Sequence, residues 1–416
     1  MAPICTATAS PRKETPLSRP GTFTLTALLA AMTAIGPLST DMYIPSLPAI
    51  ARAFDTSVAG AQLTISAYLV GFAIGQLIYG PVSDRYGRKP VLLAAVAVFC
   101  AASFGCMVST SIDVLIVFRT LQALGGCGGV VLARAVVRDL YSGARAGREL
   151  SLISMVMALA PVVAPLIGGV VQTGFGWRGT FVVLTASGLL IAAAVWWRLP
   201  ETLETRAPAS SPLAMIRAFG GFLRDGSFVA HAGLIVLVFS GLFAWISASA
   251  FVLQNLYGLS SLEFGIAFAV GSAGFMAGSA IASRYVGRLG LDLVIGMGVA
   301  AQAIGGLLMI AALLLGLRSA VSLVVPMAIY LSGLGLVLPQ AMAGAMQPYR
   351  DRAGAASSLL GFFQQTGAAL CGVIVGQLLG DSAWPMAAAV ALTGVASLVL
   401  WLTTRGIRQR ALEGHH

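Results

Sequence analysis

Charge is scarce in this chain. Its 416 residues include only 25 basic and 15 acidic ones, 10% in all, where a soluble domain carries roughly 25%. So few charges cannot clothe a water-exposed surface, and a soluble protein is excluded. Histidine is rarer still, at His231, His415 and His416, and the five cysteines show no CxxC spacing, so neither a zinc site nor a disulfide framework is expected. No GxxxxGK[ST] loop is present to hold ATP. Enzymes need clustered catalytic groups, and the apolar runs hold no such cluster. The net charge of +10 would suit nucleic acid only if gathered on one face. Here the basic residues fall in small groups between apolar runs, and no nucleic-acid partner is expected.

Apolar sequence fills the rest: hydrophobic residues make up 58% of the chain. A bilayer-spanning helix needs about 20 of them in succession. Twelve such runs lie near 22–44, 58–80, 90–109, 114–137, 150–172, 179–197, 228–252, 263–283, 291–315, 320–345, 354–379 and 384–404. The first is too long for a signal-peptide core. The polar stretch from Arg198 to Gly226 divides the runs six and six. The organisation expected is an N-terminal arm (1–20), a six-helix bundle (21–197), a central loop (198–226), a second bundle (227–404) and a tail (405–416). With the N-terminus in the cytoplasm, 20 basic residues fall inside and only Arg52, Arg178 and Arg318 outside. The remaining two, Arg119 and Arg134, sit within the fourth run. Positive residues stay inside, so arm, central loop and tail are all expected in the cytoplasm.

An ionisable group within a span is a functional candidate by default. Asp41 is the one acid placed clearly inside a run, and Arg119 is a matching cation in the fourth. At 1.5 Å per residue both lie roughly 6–10 Å below the outer boundary and are able to pair. Burial and a neighbouring cation act in opposite senses on a carboxyl's titration, which suits a proton carrier. Arg134, fifteen residues on, falls near the cytoplasmic mouth, where topology or gating is its expected role. Tyr43, Tyr68, Phe72, Gln122, Phe243 and Trp245 are candidates to line a cavity for apolar compounds. The halves also echo each other: Ser83-Asp84-Arg85-Tyr86-Gly87-Arg88 follows the second run and Ser283-Arg284-Tyr285-Val286-Gly287-Arg288 the eighth.

The segment Gly80-Pro81-Val82-Ser83-Asp84-Arg85-Tyr86-Gly87-Arg88-Lys89 resembles the G-x-L-x-D-R-x-G-R-K signature of major facilitator superfamily transporters, with Val82 in place of Leu. Gly80 suits close helix approach, and Gly87 suits a turn at positive φ. The resemblance implies that Asp84 meets the start of span 11, near Ala353, and that Arg88 pairs with Asp139 at the end of span 4. Arg85 belongs to the same conformational switch. Arg119-Thr-Leu-Gln122 resembles the family's R-x-x-Q-G region, associated with proton coupling; Ala123 replaces its Gly. Ala164-Pro165-Leu166-Ile167-Gly168-Gly169 resembles the antiporter signature G-P-x-x-G-G, with Pro165 bending the helix. Ser39-Thr40-Asp41-Met42-Tyr43-Ile44-Pro45 and Arg134-Ala-Val-Val-Arg138-Asp139 resemble the Bcr/CflA branch of drug/proton antiporters.

The expectation is an all-α, twelve-span transporter of the bacterial inner membrane, monomeric and without a cofactor. It exports small, largely apolar drugs in exchange for protons, with Asp41 as carrier. A metabolite exporter or importer, or a channel, is the alternative.

Overall fold

The computed structural model describes residues 23–141, 143–203, 217 and 219–408. The N-terminal arm, the segment 204–216 within the central loop and the tail from 409 lie outside the described residues. Twelve α-helices can be followed. They are α1 (Phe23–Asp41), a short α2 (Leu47–Ala53), α3 (Val58–Tyr86), α4 (Arg88–Met107), α5 (Ile112–Leu140) and α6 (Gly143–Arg198). After them come α7 (Gly226–Phe251), α8 (Ser261–Leu289), α9 (Leu291–Leu314), α10 (Val321–Met346), α11 (Ala353–Leu378) and α12 (Trp384–Thr403).

The 56 residues of α6 would extend about 84 Å at 1.5 Å per residue, against a hydrocarbon core of about 30 Å. The helix breaks at Gly176, whose φ of 70° is open to glycine and strained for other residues. Its two arms run antiparallel. Near its start, Glu149 meets Thr26 of α1, and just past its end Glu201 meets the first residues of α4, so both ends lie at one side of the bundle. Eleven stretches of the described residues are long and apolar enough to cross a bilayer. With the folded-back one counted twice they are the twelve expected spans. Large apolar side chains such as Leu190, Leu314 and Leu392, each at least 70% exposed, suit lipid and would be an aggregation hazard in water.

The two halves share one plan. In the first, α5 packs against α3, α4 and α1; in the second, α10 packs against α8, α9 and α7. The halves meet along two seams, α3 with α11 and the first arm of α6 with α8. Lipid tails are as apolar as Leu, so burial drives such packing weakly and close approach at small residues matters more.

The sequence echo is shifted in the fold. Gly87, at φ 102°, turns the chain between α3 and α4, but its counterpart is Gly290, at φ 78°, three residues beyond Gly287. The segment that resembles the signature is mostly helix: α3 continues through Tyr86 and Gly87 alone interrupts it.

Candidate functional site

Two constellations of charge stand at opposite ends of the first half. The one at the Asp41 end surrounds Arg119, which is fully buried on α5. Its Nη1 donates to the Ser39 carbonyl at 3.0 Å and to Gln122 Oε1 at 2.6 Å. Gln122 in turn donates to Ser103 Oγ at 2.8 Å. The guanidinium lies over two rings, Tyr43 at 4.3 Å and Tyr68 at 4.4 Å, each fixed by its hydroxyl, to Thr64 and to the Gly36 carbonyl. Cation–π attraction strengthens when desolvated, to about 2 kcal/mol or more. Nε and Nη2 have no hydrogen-bond partner. The cation is therefore held by neutral groups, with two of its three nitrogens unspent.

Asp41 is buried, at 5% exposure, close by in sequence. The expected Asp41–Arg119 pair is not formed in this conformation. Among the described residues the ion pairs are Arg88–Asp84, Arg88–Asp139 and Arg408–Asp292. The guanidinium is instead taken up by the Ser39 carbonyl, Gln122 and the faces of Tyr43 and Tyr68. A like depth read from sequence does not make a pair.

The cavity candidates need a second correction. Tyr43, Tyr68, Gln122 and Trp245 are each at most 1% exposed, so none lines open space here. The first three clasp Arg119. Phe72 lies against Tyr68 and fills the gap at Gly36, and Phe243 packs on Phe239 at 5.1 Å. Large rings occupy room that glycines leave.

The other constellation is a clamp. Arg88, the first residue of α4, pairs through Nε with Asp139 at 2.9 Å, as the family resemblance implies, and through Nη1 with Asp84 at 2.5 Å. Its Nη1 also donates to Ser83 Oγ at 2.6 Å. Asp84 was expected at the start of α11, but here it turns to Arg88 and is 45% exposed. Gly80 was expected at a close helix approach, yet a Cβ there would meet nothing within 4 Å. Arg85 lies over the Tyr86 ring.

Sequence reading missed Glu201 and Thr202. Glu201 accepts from the Arg88 and Lys89 backbone N–H groups at 2.9 and 3.2 Å. It thereby satisfies orphan donors at the positive end of α4. Thr202 donates to Asp139. The signal was available, an acid just after the sixth span at the end that carries Arg88, but the surrounding prolines read as linker. The second half has its own version, with Arg408 beyond α12 bound to Asp292 in the first turn of α9.

Contacts across the seams report the conformation. On α3, Gln62 lies against Gly376, Ser66 against Gly372 and Gln76 against Gly361 of α11. One turn further toward the clamp, at Gly80, the contact is lost. On the other seam a Cβ at Gly169 would stand 2.7 Å from the Ser261 carbonyl, and one at Gly265 would stand 2.6 Å from that of Pro165. Gly168 backs onto the Met42 carbonyl, and Gln254 Nε2 donates to the Pro45 carbonyl at 3.1 Å. Pro165 and both glycines of the antiporter-like segment thus sit at a tight junction. Both seams are tightly packed toward the Asp41 end; at the clamp end Gly80 faces open space, while a Cβ at Gly354 of α11 would stand 3.8 Å from Arg138 Nη1 of α5.

This architecture is shared with known proteins. A solved D-xylose-proton symporter superposes with a TM-score of 0.73 at 16% identity, covering 91% of this chain and 97% of that one. The MFS-type transporter YdgK of Bacillus subtilis is 36% identical over 378 residues, 89% of this chain and 92% of its own. A bicyclomycin resistance protein homolog of Haemophilus influenzae is 30% identical over 393 residues, 94% and 98% of the two chains. The model of the Major Facilitator Superfamily matches residues 29–372. With twelve spans in two like halves and the Arg88–Asp139 clamp in place, the chain belongs to the Major Facilitator Superfamily of membrane transporters.

Proposed function

We propose that this transporter exports small, largely apolar toxic compounds in exchange for protons across the bacterial plasma membrane, with the clamp end in the cytoplasm. The observation that carries the reading is Asp41: a buried carboxyl without an ion pair at the closed end of the bundle, two residues from the carbonyl that receives Arg119. A lone acid in a dry site changes its charge by taking or losing a proton, and a charge that appears or disappears beside a packed junction biases the two conformations differently. In the proposed cycle, proton arrival at Asp41 and substrate binding compete, and the rocking of one half over the other carries each across in turn. Similarity to a bicyclomycin resistance homolog favours drugs over nutrients as cargo. The driving force is the proton gradient, and no cofactor is needed.

Two measurements together test this. One is a resistance panel in an efflux-deficient bacterial host. The other is uptake into inverted vesicles under an imposed pH gradient. Resistance to one or more small apolar antibiotics, with uptake that collapses when the gradient is dissipated, is expected. Gradient-independent uptake, or no resistance alongside pH-driven movement of a polar metabolite, overturns the reading.

A further inference from the structure

Two hollows flank the clamp-end half of α1. One, of about 870 Å³, lies between α1 and the first arm of α6; the other, of about 420 Å³, lies between α1 and the second arm. Both fall within the range of ligand pockets, about 300–1,000 Å³. Ala27 and Ala31 line both, so the hollows are two lobes of one groove with small side chains on its floor. Its walls are mainly apolar.

Charge gathers at one end of this groove. Arg145 and Arg148 line the first lobe and Arg198 the second. All three are exposed, and none forms an ion pair among the described residues. One acid, Glu149, shares the first lobe, but it is buried and its Oε2 is taken by the Thr26 hydroxyl at 2.7 Å. Three cations above a forked apolar groove, at the level where the bilayer meets water, match one kind of ligand: an anionic head group carrying two hydrocarbon chains. Basic pockets between spans bind such head groups.

We propose that this groove is a specific site for an anionic glycerophospholipid of the leaflet at the clamp end. The arginines hold its phosphate and the chains lie along Ala27 and Ala31. The lipid thereby fills a gap between α1 and the α6 hairpin that protein side chains leave open.

The test is native mass spectrometry of the full chain from nanodiscs of phosphatidylglycerol mixed with phosphatidylcholine. Each arginine near the surface is worth about fivefold in affinity. Wild type is expected to retain phosphatidylglycerol selectively. The double variant Arg148→Gln/Arg198→Gln should lower that retention by about 25-fold. Ala27→Phe/Ala31→Phe should lower it as well, with every charge unchanged. Equal retention of the two lipids by wild type overturns the proposal. So does full phosphatidylglycerol preference in the Ala27→Phe/Ala31→Phe variant, which would reduce the effect to general attraction of a basic surface.

Discussion

Closure at the Asp41 end rests on backbone contact between α6 and α8, so one methyl group should pry it open. In Gly169→Ala the added Cβ would lie 2.7 Å from the Ser261 carbonyl oxygen and 3.1 Å from the Leu262 Cα. Comfortable separation for such atoms is about 3.5–4.0 Å. Both neighbours are backbone and cannot swing aside, so the helices themselves must part. Overpacking of this kind costs about 1–3 kcal/mol, charged only to the closed state. The ratio of closed to open outer ends should fall by about 5- to 150-fold. Gly265→Ala repeats the experiment from the opposite helix, where the Cβ would meet the Pro165 carbonyl at 2.6 Å. Gly174→Ala is the control: it lies in the same arm, meets nothing within 4 Å, and gains the same helix propensity of about 1 kcal/mol. Spin labels on the outer ends of α6 and α8, read by pulsed electron paramagnetic resonance, should show a longer-distance population in the first two variants alone. Unchanged distances in both, or an equal shift in Gly174→Ala, would refute the reasoning.

Other expectations follow from the two charge constellations. Asp41→Asn should insert and fold normally yet abolish proton-driven export; wild-type uptake into inverted vesicles would remove Asp41 from the mechanism. For Arg119 the rings are the issue. Tyr43→Phe loses the hydroxyl bond to Thr64 but keeps the face over the guanidinium, and should transport, whereas Tyr43→Leu and Arg119→Lys should fail, since Lys lacks the flat stacking group. Transport by Tyr43→Leu at the Tyr43→Phe rate would show that the cation–π clasp is incidental. Arg88 and Asp139, with side chains 9% and 18% exposed, should show a coupling of about 1–3 kcal/mol in a double-mutant cycle on thermal stability. Additive losses would mean that the pair contributes no joint energy. Glu201→Gln keeps the shape but weakens charge at the start of α4, and its unfolding midpoint should fall less than that of Glu201→Ala; equal midpoints would deny the carboxylate a capping role.

Hydropathy alone carried the architecture, because a bilayer imposes length and apolarity on every span and places the basic residues on one side. The twelve runs and the division into halves were legible in one dimension, and the family resemblance implied the Arg88–Asp139 pair that the structure holds. What a linear pattern does not encode is which groups meet. The sequence places Asp41 and Arg119 at a like depth, but only the packed bundle shows Tyr43 and Tyr68 taking the partner's place. The same holds for partners distant in sequence. Glu201 is 113 residues from Arg88 and reaches it because α6 folds back at Gly176. The state of the transporter is likewise tertiary. Gly80 and Gly169 are both glycines in family-like motifs, yet one faces open space and the other a backbone 2.7 Å away, because only the packed helices decide which motif lies on a tight seam.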